Sequence, residues 1–240
     1  MILQLAKNTV FFFLFYVSFT TVAYAQNTNN ADDLLQKLKQ KLDKVKDYTV
    51  DANIKLDVPF IKMLPVNAKI YFKQKNKFKV ESKSIAVLPR QHFNQITSLL
   101  ENANKNTYTA LISGNENIGT TSTTVVNIIP SSDTSDLVLA KFWVDPKQNV
   151  VLKSQLTSRS NGTILTEYTY NSQLLYGLPD NMVFTIDMKK FKLPKGIATD
   201  LHTTKPKTQT PEKERKNGKI YIKLANYQLN KGISDTIFKK

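Results

Sequence analysis

The residues capable of chemistry are few and scattered. The two histidines, His92 and His202, stand far apart, there is no cysteine, and no further ligand type recurs beside either at metal-binding spacing. Seven glycines in all form no Walker-type, dinucleotide or Gly-x-Ser-x-Gly turn. Glu212 and Glu214 lie in a run of charges, where side chains are solvated, and Asp145 and Asp180 adjoin prolines, where they form turns. The reading is of no catalytic residue, no metal and no cofactor, hence a binding protein and not an enzyme. Lys69, Lys73, Lys75, Lys77 and Lys79 interleave with Tyr71 and Phe78, a composition shared with single-strand nucleic-acid platforms. The same lysines fit a wetted strand face and its turn, and nucleic acid is not an expected partner.

What recurs instead is apolar. Val50, Ala52, Ile54 and Leu56 alternate with Asp51, Asn53, Lys55 and Asp57, and Val66, Ala68, Ile70 and Phe72 repeat the alternation, which is the period of a strand with one dry face. These eight residues are the candidate lining of a cavity. Ahead of them Leu34, Leu35, Leu38, Leu42 and Val45 recur at helical spacing after an apparent N-cap at residues 30–33. A second short helix is predicted over residues 90–102, with Phe93, Ile96, Leu99 and Leu100 in its stripe. Leu34, Leu38, Leu42, Phe93, Ile96 and Leu99 are the candidate lid.

The longest regular stretch, residues 137–170, reads as a three-stranded meander. Asp145-Pro146-Lys147-Gln148-Asn149 makes its first turn and Asn161-Gly162 its second. In the first arm Val138, Ala140, Phe142 and Val144 share a parity; in the second Val150, Leu152 and Leu156 do; in the third Ile164, Thr166, Tyr168 and Tyr170 do. Strands are also predicted at residues 78–80, 107–113, 122–129, 182–188 and 219–227, with a turn region at 114–119. Residues 203–217 are charged, carry two prolines and contain no apolar side chain, so they read as a surface loop.

Residues 1–25 have the three-part layout of a cleaved signal peptide: Lys7, the apolar run 10–17, and Ala23-Tyr24-Ala25. That run is short for a bilayer core of ~30 Å. Residues 26–240 are then one domain, with 203–217 as its loop and 218–240 as its closing strand and tail. The full chain carries a net charge of +15, and loss of Lys7 leaves +14. An exported basic protein is attracted to anionic membrane surfaces.

This order of elements resembles the LolA-like family of periplasmic lipoprotein carriers. The likeness rests on the residue 34–48 helix running into the 49–58 strand, on KIYFKQKNKFKV at 69–80, on KFWVDPKQNVVLKSQ, on Leu178-Pro179-Asp180 and on the ending NYQLNKGISDTIFKK. It implies a mainly β (α+β) fold, an unclosed antiparallel β-barrel of LolA/LolB type covered by amphipathic helices. It further implies a monomeric periplasmic carrier of acylated lipoproteins or lipids, loaded by an inner-membrane release complex and unloaded at an outer-membrane receptor. Burial of methylenes, at about 0.8 kcal/mol each, gives such a carrier affinity without specific hydrogen bonds. The family's early-strand arginine, which bonds the lid helices, has no counterpart: the strand at 49–58 has only Lys55, on its polar side. An RseB-like lipid or stress sensor, or a lipid binder without a transfer role, shares this fold, but the two-domain RseB layout would need more than the 23 residues that follow the charged loop.

Overall fold

A computed structural model describes residues 28–58, 63–75, 77–83, 95–101, 107–160, 162–187 and 217–239. The expected leader, Phe93, both histidines and residues 203–216 lie outside them. Helix α1 (Thr28–Leu42) leads into β1 (Asp47–Asp57), β2 (Val66–Lys73) and β3 (Lys77–Ser82). Helix α2 (Gln95–Glu101) precedes β4 (Tyr108–Ile118), β5 (Thr121–Pro130), β6 (Leu137–Asp145), β7 (Val150–Ser158) and β8 (Gly162–Thr169). A 3-10 turn at Leu174–Tyr176, β9 (Asn181–Asp187), β10 (Asn217–Leu229) and a second 3-10 turn at Asp235–Phe238 complete the chain.

All ten strands form one antiparallel sheet in the order β3-β2-β1-β10-β9-β8-β7-β6-β5-β4. Every pairing joins neighbours in sequence except β1 with β10, which brings the first and last strands together. The two sheet edges, β3 and β4, are themselves consecutive in the chain. Pairing them would close a barrel, and they do not pair. The fold is the mainly β, unclosed antiparallel barrel with helical cover that the sequence predicts.

Alternation determines what each strand buries. Val50, Ala52, Ile54 and Leu56 of β1 face inward beside Ala68, Ile70 and Phe72 of β2, and Ile220, Ile222 and Leu224 of β10 continue the layer through Met182, Phe184 and Ile186 of β9. A second cluster joins Ala31, Leu34, Leu35 and Leu38 of α1 and Leu100 of α2 to Ala110, Val126, Ile128, Ala140, Phe142, Val144, Val151 and Leu156 on β4 to β7. Tyr168 on β8 touches both clusters. The helices therefore cover the β4–β7 half of the sheet.

Four local expectations change. Helix α1 begins at Thr28, so residues 30–33 lie within it and not at its cap; its buried stripe already includes Ala31, three residues ahead of Leu34. It also stops at Leu42, so Val45 is buried from a connecting segment and not from the helix. Residues 114–118 are strand, since the register shifts after Ile112 and Ile118 pairs directly with Thr121. In the second arm of the meander Val151, and not Leu152, joins the core, because a shift between Trp143 and Val144 sets Val151 opposite Val144 and Lys153 opposite Trp143.

The bulge in β4 rests on Gly114, whose φ of +133° suits glycine alone. It turns Glu116 onto the outer face, where Ile112 parity would have aimed it inward. There the Glu116 carboxylate accepts from Trp143 Nε1 at 2.7 Å and from Lys141 Nζ at 3.2 Å. Lys141 and Lys153 place their ammonium groups 4.4 and 4.6 Å from the Trp143 ring centroid. Trp143 is thereby 3% exposed although it points away from the core.

The chain's ends are clasped at the start of β1. The buried Asp47 carboxylate accepts from the amides of Lys231 and Gly232 at 3.0 and 3.1 Å, and Asn230 Oδ1 accepts from the amide of Lys46 at 2.7 Å. Further along, Asp235 accepts from Lys73 and Lys77, both at 2.7 Å, and these hydrogen bonds hold its carboxyl down at about 2. Truncation of Asp47 to alanine removes the charged acceptor of two part-buried amides and is expected to cost about 1–3 kcal/mol in urea unfolding. Asp43→Ala, which breaks only the exposed pair with Lys39, is expected to cost about 0.5 kcal/mol or less. Equal losses in the two variants would refute the clasp as a stabilising element.

Candidate functional site

A cavity lies at the end of the barrel where β1, β3, β7 and β9 begin and β2, β8 and β10 finish. Its walls are Leu38, Lys41 and Leu42 from the last turns of α1, Val45, Tyr48 from β1 and Phe72 from β2. Ile96, Thr97 and Leu100 of α2 oppose Val150 and Val151 of β7 and Tyr168 and Tyr170 of β8. Gly177, Leu178 and Pro179 of the β8–β9 connection, Met182 of β9, and Leu224 and Tyr227 of β10 complete it. Its volume is about 80 Å³, well under the about 300–1,000 Å³ of a preformed small-molecule pocket. A larger apolar guest requires a wall to yield.

Tyrosines mark this end. Tyr48 stacks on Phe72 with centroids 5.0 Å apart and meets Tyr227 edge-on at 5.6 Å. Tyr227 reaches the interior because the β1–β10 register shifts between Thr49 and Asp51, next to Asn226 at a φ of +58°. Its hydroxyl donates to the Pro179 carbonyl at 2.8 Å, that of Tyr170 donates to the Val151 carbonyl at 2.8 Å, and that of Tyr168 shares a hydrogen bond with Ser154 Oγ at 3.0 Å. The rings thus present apolar faces to the cavity while their hydroxyls are tied to the wall. Burial raises all four phenols above the usual tyrosine range, Tyr168 to about 12.

Besides Thr97, two polar side chains interrupt the lining. Lys41 Nζ donates to the Gln148 carbonyl at 2.6 Å, pinning the end of α1 to the β6–β7 turn. Burial, with the nearby Lys44, pushes its ammonium below the usual lysine range against a weaker opposing pull from Asp145. Beside it Asn149 Oδ1 is buried and has no hydrogen-bond partner. The turn that positions both is the predicted one: Asp145 Oδ1 accepts from the amides of Lys147 and Gln148 at 2.8 and 3.1 Å. Asp180 is likewise a turn residue, accepting from the amides of Asn171 and Ser172 at 2.7 and 3.1 Å. Gly177, at a φ of +67°, suits the left-handed turn of the β8–β9 connection, and a Cβ there would make only ordinary contact with Leu42 Cδ2 at 3.6 Å.

The candidate residues divide. Leu38, Leu42 and Ile96 of the lid set and Phe72 of the lining set meet at the cavity. Val50, Ala52, Ile54, Leu56, Ala68 and Ile70 are packed in the β1–β2–β9–β10 cluster, and Val66 is buried at the start of β2. Leu34 is buried in the helix-covered cluster, Leu99 packs half-buried against it, and Phe93 lies outside the described residues. Sequence reasoning missed Tyr48, Tyr168, Tyr170 and Tyr227 as lining. Three of them carried a signal: each sits at a strand end on the apolar parity of its own strand. Tyr227 carried none, since a bulge turns it inward. Among the described residues no group of three or more His, Cys, Asp or Glu side chains could hold a metal, and no helix is long and apolar enough to cross a membrane.

The tyrosine environment sets an alkaline limit. A phenol whose folded pKa exceeds its unfolded value of 10 contributes stability below pH 10 that is lost as pH rises through the folded pKa. Stability is therefore expected to fall from pH 10 to about 12, with phenolate absorbance of the buried tyrosines appearing together with loss of β-sheet circular dichroism. Full ionisation of every tyrosine near pH 10 with the sheet intact would refute the buried ring.

No protein-family model and no curated protein sequence matches this chain. Solved structures do match. A putative outer membrane lipoprotein-sorting protein domain from Vibrio parahaemolyticus superposes with a TM-score of 0.58 at 10% identity, covering 88% of this chain and 97% of that one. A DUF1329 family protein from Desulfovibrio piger ATCC 29098 gives 0.54 at 12%, covering 89% and 97%. A LolA superfamily protein from Nitrosomonas europaea gives 0.50 at 12%, covering 88% and 97%. Such identities establish architecture alone: the chain has the open β-barrel fold of LolA-superfamily proteins.

Proposed function

We propose that this protein is a carrier for acyl chains, taking up the lipid-modified end of a lipoprotein or a similar amphiphile in the barrel-end cavity and moving it between the membranes of a cell envelope. One observation carries the reading: two helices lie over an unclosed sheet and leave an apolar cavity beneath them whose lining carries few polar groups. The leader-like residues 1–25 and the lipoprotein-sorting domain among the similar structures support an envelope location and a sorting role.

The mechanism is apolar transfer. Each methylene buried contributes about 0.8 kcal/mol, so an acyl chain gains affinity in proportion to the length that the barrel accepts. In its closed form the cavity is too small for one, and the two helices resist opening unequally. Helix α1 is anchored by Ala31, Leu34, Leu35 and Leu38, each leucine worth about 1.5–3 kcal/mol of burial. Helix α2 spans seven residues and buries Leu100, with Ile96 and Leu99 half-buried. It is the wall that gives way, while α1 and the sheet hold their geometry. Release follows when the same wall opens at a site of stronger affinity.

The test is binding of a fluorescent fatty-acyl probe, followed by release of a labelled triacylated lipoprotein from spheroplasts into a soluble one-to-one complex. Leu42→Trp, at a half-buried position on the cavity wall, is expected to fill the space and weaken probe binding at least tenfold with an unchanged unfolding midpoint. Undiminished probe binding by that variant excludes this cavity as the site. Absence of any soluble complex with the folded protein excludes the lipoprotein-carrier role for that cargo.

A further inference from the structure

The cavity end of the barrel is also where the turns carry unpaired positive charge. Lys44 and Lys46 follow α1, Lys75 lies between β2 and β3, Lys147 between β6 and β7, and Lys231 follows β10; all five are exposed. Hydrogen bonds gather them. Gln74 joins the 43–46 segment through its amide to the Lys46 carbonyl at 2.9 Å, Asn230 joins the same segment through Lys46, and Lys41 links α1 to the turn that holds Lys147. The carboxylates at this end are occupied within the fold. Asp43 pairs with Lys39, Asp47 takes the tail amides, Asp145 and Asp180 take turn amides, and Asp235 takes Lys73 and Lys77. None of the five rim lysines has an acidic partner within salt-bridge distance among the described residues, whereas three lysines on the outer sheet face do: Lys69 with Asp51, Lys79 with Glu81, Lys141 with Glu116.

An apolar tip stands among them. Leu175, in the 3-10 turn between β8 and β9, is 68% exposed, and the glycine two residues on packs against Leu42 and Lys41. Lysines around an exposed leucine match a bilayer interface, whose anionic headgroups attract the cations while the boundary accepts the apolar side chain.

We propose that this end of the barrel is a docking face for an anionic phospholipid bilayer, seated by Lys44, Lys46, Lys75, Lys147 and Lys231 and by insertion of Leu175. The cavity mouth is then presented to the headgroup layer. This rests on the acyl-carrier reading for its purpose and not for its test. Docking in this orientation shortens the path of an acyl chain between bilayer and cavity, because the chain enters beside Leu42 and Tyr227 without crossing bulk water.

The experiment is co-sedimentation of the protein with vesicles of mixed phosphatidylglycerol and phosphatidylcholine, and with phosphatidylcholine alone, over a salt series. Binding is expected to the anionic vesicles only and to weaken with salt. Each rim lysine contributes about fivefold, so the triple variant Lys46→Gln, Lys147→Gln, Lys231→Gln is expected to bind about 100-fold more weakly. The equally charged control Lys55→Gln, Lys219→Gln, Lys223→Gln changes the outer sheet face and is expected to retain most of the binding. Leu175→Ser weakens binding, and Leu64→Ser, at a still more exposed leucine beyond the opposite ends of the strands, does not. Equal losses in the two triple variants, or no preference for anionic vesicles, overturn the docking face. Acyl-probe binding without vesicles is measured in parallel, so that failure of the cavity and failure of the docking face are separate results.

Discussion

Everything in this molecule depends on the pairing of β1 with β10. Every other strand pairs with its neighbour in sequence, so without that one contact the sheet would be two separate meanders. With it, the sheet forms an unclosed barrel whose seam falls between β3 and β4. A closed barrel has no gap for a separate element to cover. A ring left open has to be covered by something else, and the chain supplies α1 and α2 from the segments on either side of β1 to β3. The cover and the gap are consequences of one topological choice.

The two ends of the barrel then diverge in character. Aliphatic side chains on β1, β2, β9 and β10 form one buried cluster. Toward the end where β1 begins the layer changes to tyrosines, whose rings are large but whose hydroxyls must reach hydrogen-bond partners, so they stand at the wall and leave space between them. Bulges aim this layer: one at β10 turns Tyr227 inward, and one between β6 and β7 turns Val151 inward. The open space arises where regular alternation is interrupted.

This explains what the sequence made legible. Strand positions and the buried faces of β1 and β2 follow from strict alternation, and the architecture follows from their order. The Asp145 turn followed from a side chain that bonds its own backbone. Register shifts are invisible to periodicity, so Val151 and Tyr227 could not be placed, and the extra length of β4 was hidden behind Gly114. Alternation also says which face is dry without saying which dry residues enclose space. Hence Phe72 lines the cavity while Ile54 and Ile70, identical in pattern, are solidly packed. Leu34 and Leu38 belong to one stripe, yet only the latter reaches the cavity, because the helix crosses its end.

The outer-face cluster around Trp143 has an optical consequence. This is the chain's only tryptophan, and it sits on β6 between the inward-facing Phe142 and Val144. Its indole is separated from the cavity by the thickness of the sheet, so a guest inside cannot touch it. Its emission is instead governed by the ammonium groups of Lys141 and Lys153 and by the Glu116 carboxylate, held on three different strands. Any splaying of β4, β6 and β7 that admits a larger guest alters those distances. The intrinsic fluorescence of the protein is thus a built-in strain gauge for the barrel wall, responding to its curvature and not to the chemistry of what it holds.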